Sequence, residues 1–151
     1  MLHNYCPNNT PKKKQKTKHV SSITLSWMHS RKGSKNSKHL KRVKILFDTG
    51  CDDCLVNKKF VARLRTKTDS TNKWSTKGGT FKTNRTVKCQ FSLPEFHKTR
   101  EIRWTMHVDE TENRLSRYDM IIGRDLMEEL GIDIKFSTGQ VAWDNATIPL
   151  R

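Results

Sequence analysis

An all-β domain of short strands, followed by one C-terminal helix, is what this sequence predicts. Apolar residues alternate with polar ones over several short runs, glycine- and proline-bearing turns separate those runs, and one helix signature stands near the end. The 151 residues give room for one ordinary domain with a real core, and no internal repeat is present.

The chain begins with a segment of a different kind. Residues 1–44 hold twelve Lys and Arg and no Asp or Glu, whereas 45–151 hold eighteen basic and fifteen acidic side chains. Most of the formal charge of +15 therefore sits at the front. Residues 1–19, with lysines at 12, 13, 14, 16 and 18, offer little to bury and read as a disordered basic tail. Such a tail is either a solvated lead, the reading favoured here, or an arm for non-specific nucleic-acid contact through 12–18. Residues 20–151 read as the folded domain.

From there the elements follow in order. Ile23, Leu25 and Trp27 alternate in a first strand. Ile45-Leu46-Phe47 form the buried end of another, running directly into Asp48-Thr49-Gly50. Asn57 to Leu64 suit a short helical turn. Gly78-Gly79, flanked by Trp74 and Phe81, predict a hairpin with a flexible tip. Val87, Cys89, Phe91 and Leu93, then Ile102, Trp104, Met106 and Val108, predict two strands joined by the turn 93–99. The helix lies in "GRDLMEELG": Asp125 at the N-cap, Glu128 three residues on, Gly131 at the end. "IDIKF" and "VAW" make a last hairpin around Ser137-Thr138-Gly139.

No apolar run is long enough to cross a bilayer and no secretory h-region is present, so no membrane role is expected. Cysteines at 6, 51, 54 and 89 do not form the framework of a small secreted domain. A reducing, cytoplasmic setting is expected. Cys51-x-x-Cys54 has zinc or redox spacing, but it lacks a second close pair and a βαβ context. It reads as two small residues in a buried loop. No metal and no cofactor are expected.

Asp48 is the residue that asks for a function. A carboxylate at the apolar end of a strand sits on rigid backbone beside a dry cleft, and Gly50 leaves room for a substrate to approach. The tripeptide alone is weak evidence, because turn aspartates are common. A second landmark, "YDMIIGRDLMEELGI" (118–132), makes the combination specific. Together with "LFDTGCDD" it resembles the retropepsins, the viral and retrotransposon type of aspartic protease, and is especially similar to those of Ty3/gypsy-type retrotransposon polyproteins.

The resemblance covers about residues 20–151 and implies a small closed β-barrel that is half of a twofold homodimer. It implies catalysis by Asp48, with Thr49 and Arg124 supporting the active-site loop and Arg124 forming a bidentate pair with Asp52. Gly50 and Asp52 would touch the backbone of a polypeptide substrate, and Gly78 and Gly79 would lie near the flap tip. Asp53 is open between the rim of the substrate pocket and plain surface. Asp109, Glu110 and Glu112 read as a solvated loop.

The chemistry requires the pairing on its own terms. One carboxylate must take a proton from water while a second, protonated, holds the scissile carbonyl. Two carboxylates about 3 Å apart share one proton because they cannot both ionise cheaply. The chain has one such motif. The first expectation is therefore an aspartic endopeptidase that processes a retrotransposon polyprotein, in the cytoplasm or inside retrotransposon particles. The alternative is a degenerate retropepsin-fold interaction module with a nucleic-acid-binding arm. The family usually has Ala or Ser at the place of Cys51, so oxidation there is a further route to silencing the site.

Overall fold

The computed structural model describes residues 22–31, 39–76, 79–112 and 118–151. The basic tail with its lysines 12–18, and Gly78, lie outside the described residues.

Alternating runs become strands because each can bury one face. In chain order they are β1 (Ile23–His29), β2 (Leu40–Phe47), β3 (Leu55–Asn57), β4 (Thr66–Thr76), β5 (Gly79–Ser92), β6 (Glu101–Asp109) and β7 (Met120–Ile122). A single 3-10 turn, Lys58–Phe60, follows β3, with the Asn57 side chain accepting from Lys59 N–H. Helix α1 is Arg124–Leu130, and β8 (Ile132–Lys135), β9 (Gln140–Trp143) and β10 (Ala146–Pro149) complete the chain.

The first seven strands pair in the order β1-β2-β7-β3-β6-β5-β4, and β1 also pairs with β5. That last pairing closes six strands into a barrel and leaves β4 outside the ring. The seam is short, Trp27 opposite Ser92 and Met28 opposite Phe91. Beyond the ring β4 and β5 run on as a long hairpin, turning between Thr76 and Gly79. The ladder shifts register between Thr68 and Asn72, a bulge of the kind that adds twist.

Inside the barrel Met28, Val43, Ile45, Val56, Cys89, Phe91 and Met106 are wholly buried. The small sheet β10-β9-β8 joins this core through aromatic edges. Phe47 meets Phe96 at 6.2 Å between ring centres, and Phe96 meets Trp143 at 6.0 Å. Trp143 is fully buried, and its Nε1–H donates to Leu130 O at 3.0 Å, so no polar atom is stranded there.

Three expectations need correction. In β1 the buried side chains are Thr24, Ser26 and Met28, while Trp27 is 45% exposed. The inversion is possible because the two hydroxyls are satisfied, Ser26 by Ser92 O at 2.5 Å and Thr24 by Glu95 Oε1 at 3.2 Å. Second, the last hairpin is a three-stranded sheet, because Ala146–Pro149 also pair with β9. Third, Asp125 is not the N-cap. That position is Gly123, with no side-chain cap, and α1 starts at Arg124. Gly131 does close the helix, in the left-handed conformation at φ 71°.

Candidate active site

The loop that follows β2 is pinned on its inner side by backbone. Phe47 lies beside Ile122 in the parallel β2–β7 ladder, and Asp48 N–H donates to Ile122 O at 3.0 Å. Cys51 N–H then turns back to Asp48 O at 3.1 Å. The half-buried Asp48 carboxylate accepts from Gly50 N–H at 2.9 Å, its one hydrogen bond among the described residues. A Cβ on Gly50 would lie 3.2 Å from Asp48 Oδ1, so glycine keeps that oxygen uncrowded.

The helix start clamps the far side of the loop. Arg124 N–H donates to Cys51 O at 2.8 Å and Asp125 N–H to Asp52 O at 3.0 Å. Gly123 permits this approach: a Cβ there would fall 2.6 Å from Asp53 O and 2.7 Å from Cys51 O. Both are backbone atoms that cannot move aside. Asp125 adds side-chain bracing, with Oδ2 accepting from Trp104 Nε1 at 2.8 Å and Oδ1 from Cys54 Sγ at 3.1 Å.

The bidentate Arg124–Asp52 pair does not form. The closest approach is a single contact of 3.6 Å between exposed groups, and Arg124 also reaches Glu128 at 3.2 Å. An exposed pair of this kind holds little. The loop is supported by the backbone of 123–125 instead. Thr49 is exposed, and its hydroxyl makes no hydrogen bond among the described residues. With Arg124, Met127, Glu128, Ile134 and Phe136 it borders a recess of about 550 Å³.

Cys51 is half-buried and donates from Sγ to Asp53 O at 3.0 Å; Cys54 is fully buried. Burial first, then the negative charge of Asp48, pushes the Cys51 thiol up to about 11. Burial pushes Cys54 higher still. Both are thiols at neutral pH and poor nucleophiles toward oxidants, which argues against the oxidative silencing considered above.

The β4–β5 hairpin is tied to this loop by side-chain contacts that the sequence does not reveal. Trp74 and Phe81 stack at 6.0 Å, and Trp74 Nε1–H donates to Thr83 Oγ1 at 2.9 Å. Trp74 also stands edge-on to His107 at 5.3 Å. His107 in turn donates its backbone N–H to Cys54 O at 2.9 Å and places Nε2 3.7 Å from Asp53 Oδ2. Asp53 is thus half-exposed at the foot of the hairpin. Gly79 opens β5, at the hairpin's turn.

The acidic stretch after β6 is solvated at Glu112, which is 83% exposed, and more closely held at Glu110. Glu110 pairs with Arg85 at 2.5 Å and Glu112 with Lys58 at 3.0 Å. Among the described residues no group of three or more His, Cys, Asp or Glu side chains gathers as metal ligands.

A closed barrel of short strands, one late helix and an Asp-Thr-Gly turn beneath a long hairpin together define the retropepsin-like fold. A family model described as retroviral aspartyl protease matches residues 32–135, more than half of the chain, and the chain belongs to that family. Among solved structures, the retroviral protease-like domain of Ddi1 from Leishmania major aligns over 87% of this chain and 94% of its own, at 14% identity and a TM-score of 0.54. The EIAV protease, solved with the inhibitor HBY-793, aligns over 80% of this chain and 97% of its own, at 18% identity and a TM-score of 0.47. A search of curated protein sequences gave no match.

Proposed function

We propose that two copies of this chain meet on a twofold axis and hydrolyse peptide bonds with a water held between their Asp48 carboxylates. One observation carries this reading. The family's catalytic motif occurs once, on a turn fixed by backbone, and no other carboxylate of the chain hydrogen-bonds to Asp48 among the described residues. The mechanism needs two, so the second comes from a partner copy.

The charged Asp48 takes a proton from water while the other, protonated, donates to the scissile carbonyl oxygen. Water oxygen bonds to the carbonyl carbon to give a tetrahedral diol. Its collapse breaks the C–N bond as the nitrogen takes a proton, and the dyad returns to sharing one. Substrate would lie extended beneath the hairpin, its backbone paired as an added strand.

The surface beside Asp48 suits the partner. Phe136 is 76% exposed, next to the recess at Thr49, and β8 leaves one edge unpaired among the described strands. An exposed aromatic beside an open strand edge is a natural place for self-association. The substrate we assign is the polyprotein of a Ty3/gypsy-type retrotransposon, cut in the cytoplasm or within the element's particles. The 118–132 motif supports that origin.

The test joins mass to activity. Sedimentation should give a dimer that cleaves an unfolded protein at mildly acid pH and is blocked by pepstatin. Asp48→Asn should keep the dimer and lose cleavage at least about a thousandfold, in line with removal of a central catalytic group. Cleavage that persists in Asp48→Asn, or a strict monomer with full activity, would end this reading.

A further inference from the structure

A second concave surface lies away from the Asp48 loop, on the outside of the barrel. It is a groove of about 620 Å³ across β5 and β6, edged by the start of β4 and the end of β1. Five exposed cations line it: Arg31, Arg65, Lys67, Lys88 and Arg103. None has an ion pair with a described carboxylate. Glu101 borders the groove, but its oxygens are engaged by His29 at 2.9 Å and by Gln90. From residue 45 onward the chain is nearly balanced in charge, so five cations in one groove, of which Arg103 alone feels the Glu101 carboxylate, are a local concentration.

The strand register extends this surface across the barrel. Outward-facing residues of β1 adjoin those of β5 at the seam, where Trp27 lies opposite Ser92. On its other side Trp27 lies opposite the exposed Arg42 of β2. Trp27 is one of the two large apolar side chains exposed among the described residues. A tryptophan ring in water thus sits between a cation on one strand and the groove on the next. Arg31 follows the end of β1 at which His29 faces Leu40, whereas Asp48 follows the opposite end of β2. The seven residue pairs of ladder between those ends span roughly 20 Å at strand spacing.

We propose that this face, from Arg42 on β2 to Arg103 on β6, binds single-stranded nucleic acid through its phosphates and a base stacked on Trp27. Four neighbouring strands span roughly 15 Å, enough for about four phosphates of one strand. The groove offers cations and polar groups such as His29, Thr86, Gln90 and Thr105 but no Trp, Tyr or Phe ring of its own, which suits backbone contact without reading of sequence. Trp27 supplies the π-face that every unpaired base can use and that a duplex hides. An acidic peptide would use the cations but gains less from the ring.

The experiment uses the full chain and a fluorescent oligouridylate, with anisotropy read across a salt series. The double variant Lys88→Gln/Arg103→Gln should bind about tenfold more weakly or worse, and the slope of log affinity against log salt should flatten by about 1.4. Trp27→Ala should lose roughly tenfold with the slope unchanged, because stacking releases no counterions. All three side chains are exposed, and thermal melting of each variant checks that folding is intact. Unchanged binding in these variants, with loss only on neutralising Lys12, Lys13, Lys14 and Lys16, would assign binding to the tail and overturn the proposal. So would equal affinity for a duplex, or displacement of the RNA by polyglutamate at matched charge.

Discussion

The loop around Asp48 and the hairpin above it are joined to the same barrel by opposite means. The loop is held by main-chain bonds from Ile122, Arg124 and Asp125, with a glycine where the two backbones touch. The hairpin grows out of the β5–β6 ladder, but near its turn, two residue pairs from Thr76 and Gly79, it is held by ring contacts among Trp74, Phe81 and His107 and by one indole hydrogen bond. Backbone bonds at short range fix position, whereas ring faces tolerate sliding. A catalytic carboxylate needs the first and a strand that must admit a substrate needs the second.

The contrast can be broken most forcefully at Gly123. Gly123→Ala forces a methyl against the carbonyls of Cys51 and Asp53 and should cost about 3 kcal/mol, at the upper end for overpacking. Urea unfolding measures that loss, and cleavage should fall with it. Trp74→Ala acts on the other region. It removes a stacked and an edge contact from a half-buried ring and should cost about 1 kcal/mol. Hydrogen exchange should then quicken at Phe81 to Thr83 and stay unchanged at Cys51. Faster exchange at both would mean that the two regions are not separately held.

The smallest effect lies outside both regions, at Glu95. Its carboxyl is held below the ordinary 4.5, chiefly by the hydrogen bond from Arg151, against the opposing effect of burial, with Leu25 N–H adding a smaller lowering. A depressed carboxylate stabilises the fold above its unfolded pKa, and that contribution is lost as pH falls through the folded one. Glu95→Gln should therefore lower stability by about 1 kcal/mol or less at pH 7, and the difference from the parent should shrink below pH 4.5. A difference independent of pH would remove the charge from this account.

Much of this was legible in the sequence because the barrel strands bury alternate residues. Val87 to Leu93, the Asp-Thr-Gly turn and the Gly131 stop were plain on that ground. The parity of β1 was not, since buried hydroxyls of Thr24 and Ser26 find acceptors that lie some seventy residues away. The first half of β4 is polar throughout and carries no period. Asp125 matched a capping pattern by spacing, yet the helix starts earlier because Gly123 must lie against the loop, and this frees the carboxylate to reach Trp104. The Trp74–His107–Asp53 contacts join three separate parts of the chain and leave no local trace.

The ring of six strands is not equally strong all the way round. Where β1 meets β5 only two residue pairs are matched, as where β3 meets β7, and three where β2 meets β7, against seven along β1 and β2 and seven along β5 and β6. Under a pulling force or high pressure, the first two strands would peel away together once their two pairs with β5 and three pairs with β7 part, while β5 and β6 stay zipped. A molecule opened along those two lines would still carry its acidic turn at the tip of the detached piece, parted from the helix that steadies it.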